Sequence, residues 1–341
     1  MITLNRLDAV PEGLLTATSV DLMRLLGGPT LIKLEGDRDP PLFVTVLQHG
    51  NEPTGFQAIQ QILKKYENTA LPRAMWLFIA NVEASAAGVR TLDHQHDYNR
   101  AWPGTEDAGT AEAALMAEVV EAISAQPLFA SIDLHNNTGA NPHYGCANKL
   151  QAEYLQLANL FSRIVVYFKR PVGVQSLAMA EHCPAVTLEC GQAGENAALD
   201  HAVEFLDACL HLHHLPTQPA APHDIKLLRT IAVAKVREGI RFGFEADDNN
   251  DILFRPDLDK LNFTELTAGT KLAQVKQGID MPISISNDDG QDITRDILEL
   301  DNGCLTVRNS LIPSMATLDK GIIEQDCLFY VMSPIDDLPA A

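Results

Sequence analysis

Residues 47–56 read LQHGNEPTGF, and the fold turns on what this run does. His49 and Glu52 lie three apart, a spacing that would put both side chains on one face of a helix. Gly50, Pro53 and Gly55 rule out a helix interior here. The five residues before the pair, Phe43-Val-Thr-Val-Leu47, read as a buried strand. A histidine and a carboxylate on a tight loop at the carboxyl end of a strand sit where open α/β sheets place their ligands.

Working outward, apolar strand-like runs alternate with helical stretches from about residue 28 to 215. The strand candidates are Thr30–Leu34, Phe43–Leu47, Met75–Ala80, Phe129–Leu134, Ile164–Phe168 and Ala185–Cys190. The helical candidates are Gly55–Tyr66, Thr110–Ala125, Gln151–Ser162 and Asn196–Leu215. This alternation predicts an α/β fold with a central mixed or mostly parallel sheet flanked by helices. Pro216-Thr-Gln-Pro-Ala-Ala-Pro222 is a proline-rich joint, which divides the chain into residues 1–215 and 223–341. Beyond it the period shortens to short strands at Leu228–Val236, Met281–Ser286, Ile297–Leu300, Leu305–Arg308 and Cys327–Met332. Asp301-Asn-Gly303 supplies a hairpin turn, so a smaller β-rich domain is expected there.

The chain has 341 residues, is 46% hydrophobic and carries 25 Lys+Arg against 45 Asp+Glu, a net charge of −20. Such a surface repels phosphate backbones, which argues against nucleic acid as a partner. It also makes an arginine in a pocket more informative, since positive charge is scarce. Six scattered cysteines without a C-x-x-C pair fit free thiols in a reducing compartment. No apolar run approaches the roughly 20 residues of a membrane span, and the first residues lack a basic-then-apolar export signal. The expectation is a soluble cytoplasmic protein with no membrane partner.

Several further stretches invite a ligand and are better read plainly. His211, His213 and His214 sit near a helix end that Pro216 stops, where cationic side chains suit the dipole. His201 and Glu204 repeat the three-residue spacing inside a helix, where a solvated face is expected. Asp247–Asp251 and Asn287–Gly290 resemble calcium loops only in composition.

Three stretches give the first pair its context. In Ser131-Ile-Asp-Leu-His135 the histidine ends another strand, so it would emerge at the same sheet edge as His49 and Glu52. Two histidines and a carboxylate leave a zinc ion a position for water, with Asp133 placed to orient a ligand. For His135 alone, a satisfied core histidine is the competing reading. In Asp97-Tyr-Asn99-Arg100-Ala-Trp-Pro-Gly104, a guanidinium and an amide can hold a carboxylate. Arg90 offers a second cation; surface arginines paired with Asp93 or Asp97 are the alternative. In Ala185-Val-Thr-Leu-Glu189-Cys-Gly191, a carboxylate ends an apolar strand. It suits a general base or a glutamate satisfied in a turn.

The order H-G-N-E, D-Y-N-R-A-W-P-G, D-L-H-N-N-T and T-L-E-C-G resembles the succinylglutamate desuccinylase/aspartoacylase family, within the wider class of zinc carboxypeptidases. The likeness covers roughly residues 40 to 195. It implies a zinc-carboxypeptidase-like catalytic domain followed by a β-rich one. It also implies one Zn2+ per chain on His49, Glu52 and His135, with Asn99 and Arg100 holding a substrate carboxylate. Arg90 would help stabilise the oxyanion, and Glu189 would be the base. The sequence departs from the family pattern in three places, one being a segment from Arg90 to Asn99 about two residues longer than in aspartoacylases. Tyr98 stands where leucine is usual, and Gln175–Glu181 lacks the arginine that aspartoacylases carry ahead of the base.

The implied activity is hydrolysis of an amide bond in a small carboxylate-bearing substrate, of the N-acyl amino acid deacylase type. A carboxypeptidase acting on a short peptide is the alternative, since Arg100 could hold a terminal carboxylate. A metal-free binding protein is the third reading, disfavoured by the complete set of three ligands and a base. A homo-oligomer is compatible with all three. Neither G-x-x-x-x-G-K-[ST] nor G-x-G-x-x-G occurs, nor G-x-S-x-G, which argues against nucleotide-dependent and serine-hydrolase chemistry.

Overall fold

Eight strands organise the residues singled out above in the computed structural model of the chain. They are β1 (Asn5–Leu7), β2 (Thr30–Leu34), β3 (Leu42–Val46), β4 (Met75–Ile79), β5 (Ala130–Asn137), β6 (Tyr144–Ala147), β7 (Ile164–Tyr167) and β8 (Ala185–Gln192). The structure describes residues 2–247 and 249–335. Asp248, in the acidic loop, and residues 336–341, at the end of the expected β-rich domain, lie outside them. The chain separates into two compact units. Among the described residues, one holds 2–136 and His143–Leu227; the other holds Asn137–Pro142 and those from 228 to 335.

In the first unit the strands lie in the order β1-β2-β4-β3-β5-β8-β6-β7. β3 runs parallel to both β4 and β5, whereas β2 is antiparallel to β4 and β6 to β8. The sheet is therefore mixed, with helices packed around it. β3 and β5 are buried at every position, as central strands covered on both faces must be.

The Thr54–Lys65 helix follows the site turn directly. Its buried residues Phe56, Ala58, Ile59, Ile62 and Leu63 recur at helical spacing and form one apolar stripe. Gly55 lets the helix approach the sheet: a Cβ there would lie 2.7 Å from Leu134 Cβ and 3.1 Å from Val46 Cγ1. The Asn196–His211 helix packs against this one. It stops at His211, short of Leu215, and the carbonyls at its end are capped by residues remote in sequence. Arg38 donates to the carbonyls of Leu210 and His211, and the buried Arg73 donates to that of Leu212. His211 itself lies 2.9 Å from the Tyr66 hydroxyl, which donates to Asp207. His201 departs from the solvated face expected of it. Its Nε2 is 2.6 Å from the Phe161 carbonyl and its ring stacks on His143, while Glu204 is exposed.

The second unit is β-rich. Lys226–Val236 pairs antiparallel with Ile283–Asn287 on one side and Phe329–Pro334 on the other. A five-stranded sheet runs from Phe242–Gly243 through Ile252–Phe254, Lys271–Val275 and Cys304–Val307 to Leu298–Asp301. Its hairpin turns at Asn302 and Gly303, with φ of 50° and 76°, as a primed two-residue turn requires. No helix among the described residues is long and apolar enough to cross a membrane.

Gly55→Ala sets two effects against each other. Helix propensity alone favours alanine by roughly 0.5–1 kcal/mol, but the added methyl overpacks the helix–sheet contact, at about 1–3 kcal/mol. The expected result in a denaturant titration is net destabilisation; an increase in stability would show that the helix can move off Leu134 without cost.

Candidate metal centre

β3 ends at Val46, and Leu47 then adopts φ of 59°, an uncommon conformation for a residue with a side chain. The Leu47 carbonyl accepts the Asn81 N–H at 2.8 Å. The turn that follows passes so close to the Val82–Ala87 helix that a Cβ on Gly50 would meet the Ala84 backbone at 2.2 Å. Within this clamped turn His49 and Glu52 come together, Nδ1 to Oε1 2.7 Å.

The parallel pairing of β3 with β5 sets Val46 opposite Leu134. His135 is next along β5, and its Nδ1 lies 2.8 Å from the other oxygen of Glu52. The structure thus brings His49, Glu52 and His135 into one buried group. One ligand atom from each can be chosen with all three within 4.8 Å of one another.

Each imidazole has a carboxylate on its far side: His49 Nε2 lies 3.2 Å from Asp97 and His135 Nε2 2.9 Å from Asp133. Were both rings neutral with the proton on Nε2, as metal ligation requires, both Nδ1 lone pairs would face inward, toward the Glu52 carboxylate. This donor set fits a divalent cation of the zinc type, with carboxylates behind the histidines fixing tautomer and ring orientation. Burial alone would raise the Glu52 carboxyl, but the histidines outweigh it and hold its pKa well below the usual range. Burial also disfavours the charged form of His135, but Asp133 and Glu52 prevail and hold its pKa well above the ordinary value.

The Asp97–Arg100 segment closes one side. Asp97 Oδ1 accepts the Asn99 N–H at 2.8 Å and caps the short Tyr98–Arg100 helical turn. Arg90 reaches Asp97 at 3.2 Å and lies 3.7 Å from Glu52, so it belongs to this cluster rather than to the open surface. Arg100 is half-buried and donates to the Asn99 carbonyl. Asn99 is buried, and its Oδ1 has no hydrogen-bond partner among the described residues. Trp102, fully buried, donates its indole N–H to Gln48 at 2.6 Å and fastens the segment beside the site turn.

Glu189 sits near the end of β8, paired in register with Tyr144 and buried. Burial is the main cause that pushes its carboxyl up to about 7. The Glu52 and Asp133 charges reinforce this, and the two histidines oppose it. Glu189 thus shares one electrostatic environment with the three candidate ligands. Sequence reasoning missed Gln48 and Asn136, each next to a candidate histidine, because an amide beside a motif carries no signal of its own.

Residues 39–213 match the succinylglutamate desuccinylase/aspartoacylase catalytic domain. The chain belongs to this family. Membership places it among the desuccinylase/aspartoacylase-type hydrolases. Among solved structures, the succinylglutamate desuccinylase of Chromobacterium violaceum is similar with a TM-score of 0.59 at 17% identity, over 91% of this chain and 89% of that one. Murine aminoacylase 3 is similar with a TM-score of 0.56 at 15% identity, over 88% and 97%. A product-bound ectoine utilization protein EutE (DoeB) of Ruegeria pomeroyi gives 0.52 at 18%, over 89% and 88%. At these identities the likeness speaks for the fold. No curated protein matches the sequence.

Asp133→Asn tests the role of the carboxylate behind His135. Such partners are worth about 10–100-fold in metal affinity, and chelator competition should read a loss in that range. Unchanged affinity would mean that Asp133 does not orient the ligand.

Proposed function

We propose that the protein is a zinc-dependent hydrolase that cleaves the amide bond of a small N-acyl amino acid or a similar carboxylate-bearing substrate. The observation that carries this reading is the buried Glu52 carboxylate held between two inward-facing imidazoles, with Glu189 buried in the same charge cluster. His49, Glu52 and His135 would hold one Zn2+ per chain. When bound, the ion lowers the pKa of a coordinated water to about 7 and polarises the scissile carbonyl.

The remaining work falls to this chain's own groups. Glu189 accepts a proton from the attacking water and delivers it to the leaving nitrogen. A carboxyl pushed up to about 7 is suited to both transfers at neutral pH. Asn99 and Arg100 anchor the substrate carboxylate, the guanidinium offering two parallel donors. Arg90, held by Asp97 beside Glu52, supplies positive charge where the carbonyl oxygen becomes anionic.

Gln175–Glu181 supports a single acidic anchor. Gln175 is fully buried and its amide donates to Ser131 and the Ile132 carbonyl. Met179 is likewise buried, so this segment turns into the core rather than offering a cation. We assign catalysis to residues 1–215 and treat residues 223–341 as a separate β-rich domain.

Elemental analysis of the purified protein should find one zinc per chain, lost in His135→Ala. Glu189→Gln should keep the metal and lose roughly 10²–10⁴ in turnover; a loss below about tenfold removes Glu189 from the mechanism.

Arg100→Lys keeps the charge but not the bidentate fork. Charge-assisted bonds of about 1.5–3 kcal/mol imply a rise in KM of roughly tenfold or more. An ester or amide analogue lacking the free carboxylate should bind poorly and respond little to the substitution. Equal hydrolysis of the acid and its carboxylate-free analogue would remove the anion pocket. Preference for a short-peptide panel over N-acyl amino acids would favour the carboxypeptidase alternative.

A further inference from the structure

Asn136, next to His135, makes three polar contacts with two separate segments, Glu52–Thr54 and the end of β8. Its backbone N–H donates to Glu52 Oε2 at 3.1 Å. Its side-chain Oδ1 accepts the N–H of Thr54, the first residue of the Thr54–Lys65 helix, at 3.2 Å. Its Nδ2 donates to the carbonyl of Gly191, two residues beyond Glu189, at 3.0 Å. The side chain is buried, 5% exposed. A planar amide is needed here, because one neighbour offers a donor and the other an acceptor across a short span. Aspartate would set a second oxygen against the Gly191 carbonyl, and alanine would leave two buried backbone groups without partners.

We propose that the Asn136 side chain is the positioning residue that fixes the Glu189 end of β8 against the turn bearing His49 and Glu52. It touches neither the candidate ligands nor the base through its amide; it sets the distance between their backbones. The contact that does reach a ligand, N–H to Glu52, belongs to the backbone and survives substitution. Loss of the amide should therefore act on turnover and leave metal affinity and KM in place.

This inference rests on the reading of Glu189 as the base, and a double-mutant cycle separates the two. In Asn136→Ala, kcat should fall by up to about 100-fold, the order expected for a misplacement near 1 Å. KM and chelator-competed metal affinity should stay at wild-type values. In a Glu189→Gln background the same substitution should cost little further, because there is no base left to misplace. An equal loss in both backgrounds, a full wild-type kcat in Asn136→Ala, or a loss of metal affinity matching the loss of activity would overturn the positioning role. Full turnover by Glu189→Gln alone would instead overturn the base. Should Asn136→Ala fail to fold, Asn136→Asp carries the same cycle. It keeps the acceptor for Thr54 and loses the donor to Gly191, so its kcat loss must also vanish in the Glu189→Gln background.

Discussion

A carboxylate buried between two histidines is the constraint on which the rest of this unit depends. Glu52 is 7% exposed and cannot keep its charge without partners. It receives His49 on one oxygen, His135 and the Asn136 N–H on the other, with Arg90 a little farther off. Supplying them requires β3 and β5 to lie side by side in parallel and in one register. The charge count around them has a consequence. Glu52, Asp97, Asp133 and Glu189 are four carboxylates set against the two guanidiniums of Arg90 and Arg100. The surplus of negative charge bears on His135, where Asp133 and Glu52 overcome the cost of burial and hold its pKa well above the ordinary value.

The sequence is most legible where apolar pattern alone decides structure. β2 falls on Thr30–Leu34, as its residues indicate, and β3 and β4 shift by no more than one residue at either end. The pattern fails where strands enter the site. β5 runs on to Asn137 and β8 to Gln192, past their apolar portions, where His135 reaches Glu52 and Asn136 reaches Thr54 and the Gly191 carbonyl. Histidine, asparagine and glutamate at a strand end look like a loop when only propensity is read. The short β6, Tyr144–Ala147, has too few residues to show a period. The last carbonyls of the Asn196–His211 helix are capped by Arg38 and Arg73, far away in sequence, which no local cap signal could reveal.

Arginine shows the same division between what a sequence offers and what a fold selects. In an acidic chain each buried guanidinium invites a ligand, yet Arg73 is 1% exposed and wholly structural. It stacks on Phe129 and donates to the Pro40 and Leu212 carbonyls. Arg90 is distinguished by its neighbours, Asp97 and Glu52, both of which reach the candidate metal group. Composition cannot separate these cases. Position relative to the clustered carboxylates does.

The remaining question is why a leucine occupies the left-handed position where β3 turns into the site. For a residue with a Cβ that conformation costs about 1–2 kcal/mol, and glycine would relieve it. Leu47 is fully buried, however, and burying a leucine side chain is worth about 1.5–3 kcal/mol. The burial therefore covers the strain, with a narrow margin. Glycine would also free the chain at the junction that sets the direction of Gln48 and His49. The Asn81 N–H on the Leu47 carbonyl and the close seat of Gly50 on Ala84 hold the same junction from the other side. Strain of this kind persists where surrounding contacts over-determine the backbone. Here they do so one residue before the Gln48 amide that receives Trp102, and two before the first candidate ligand.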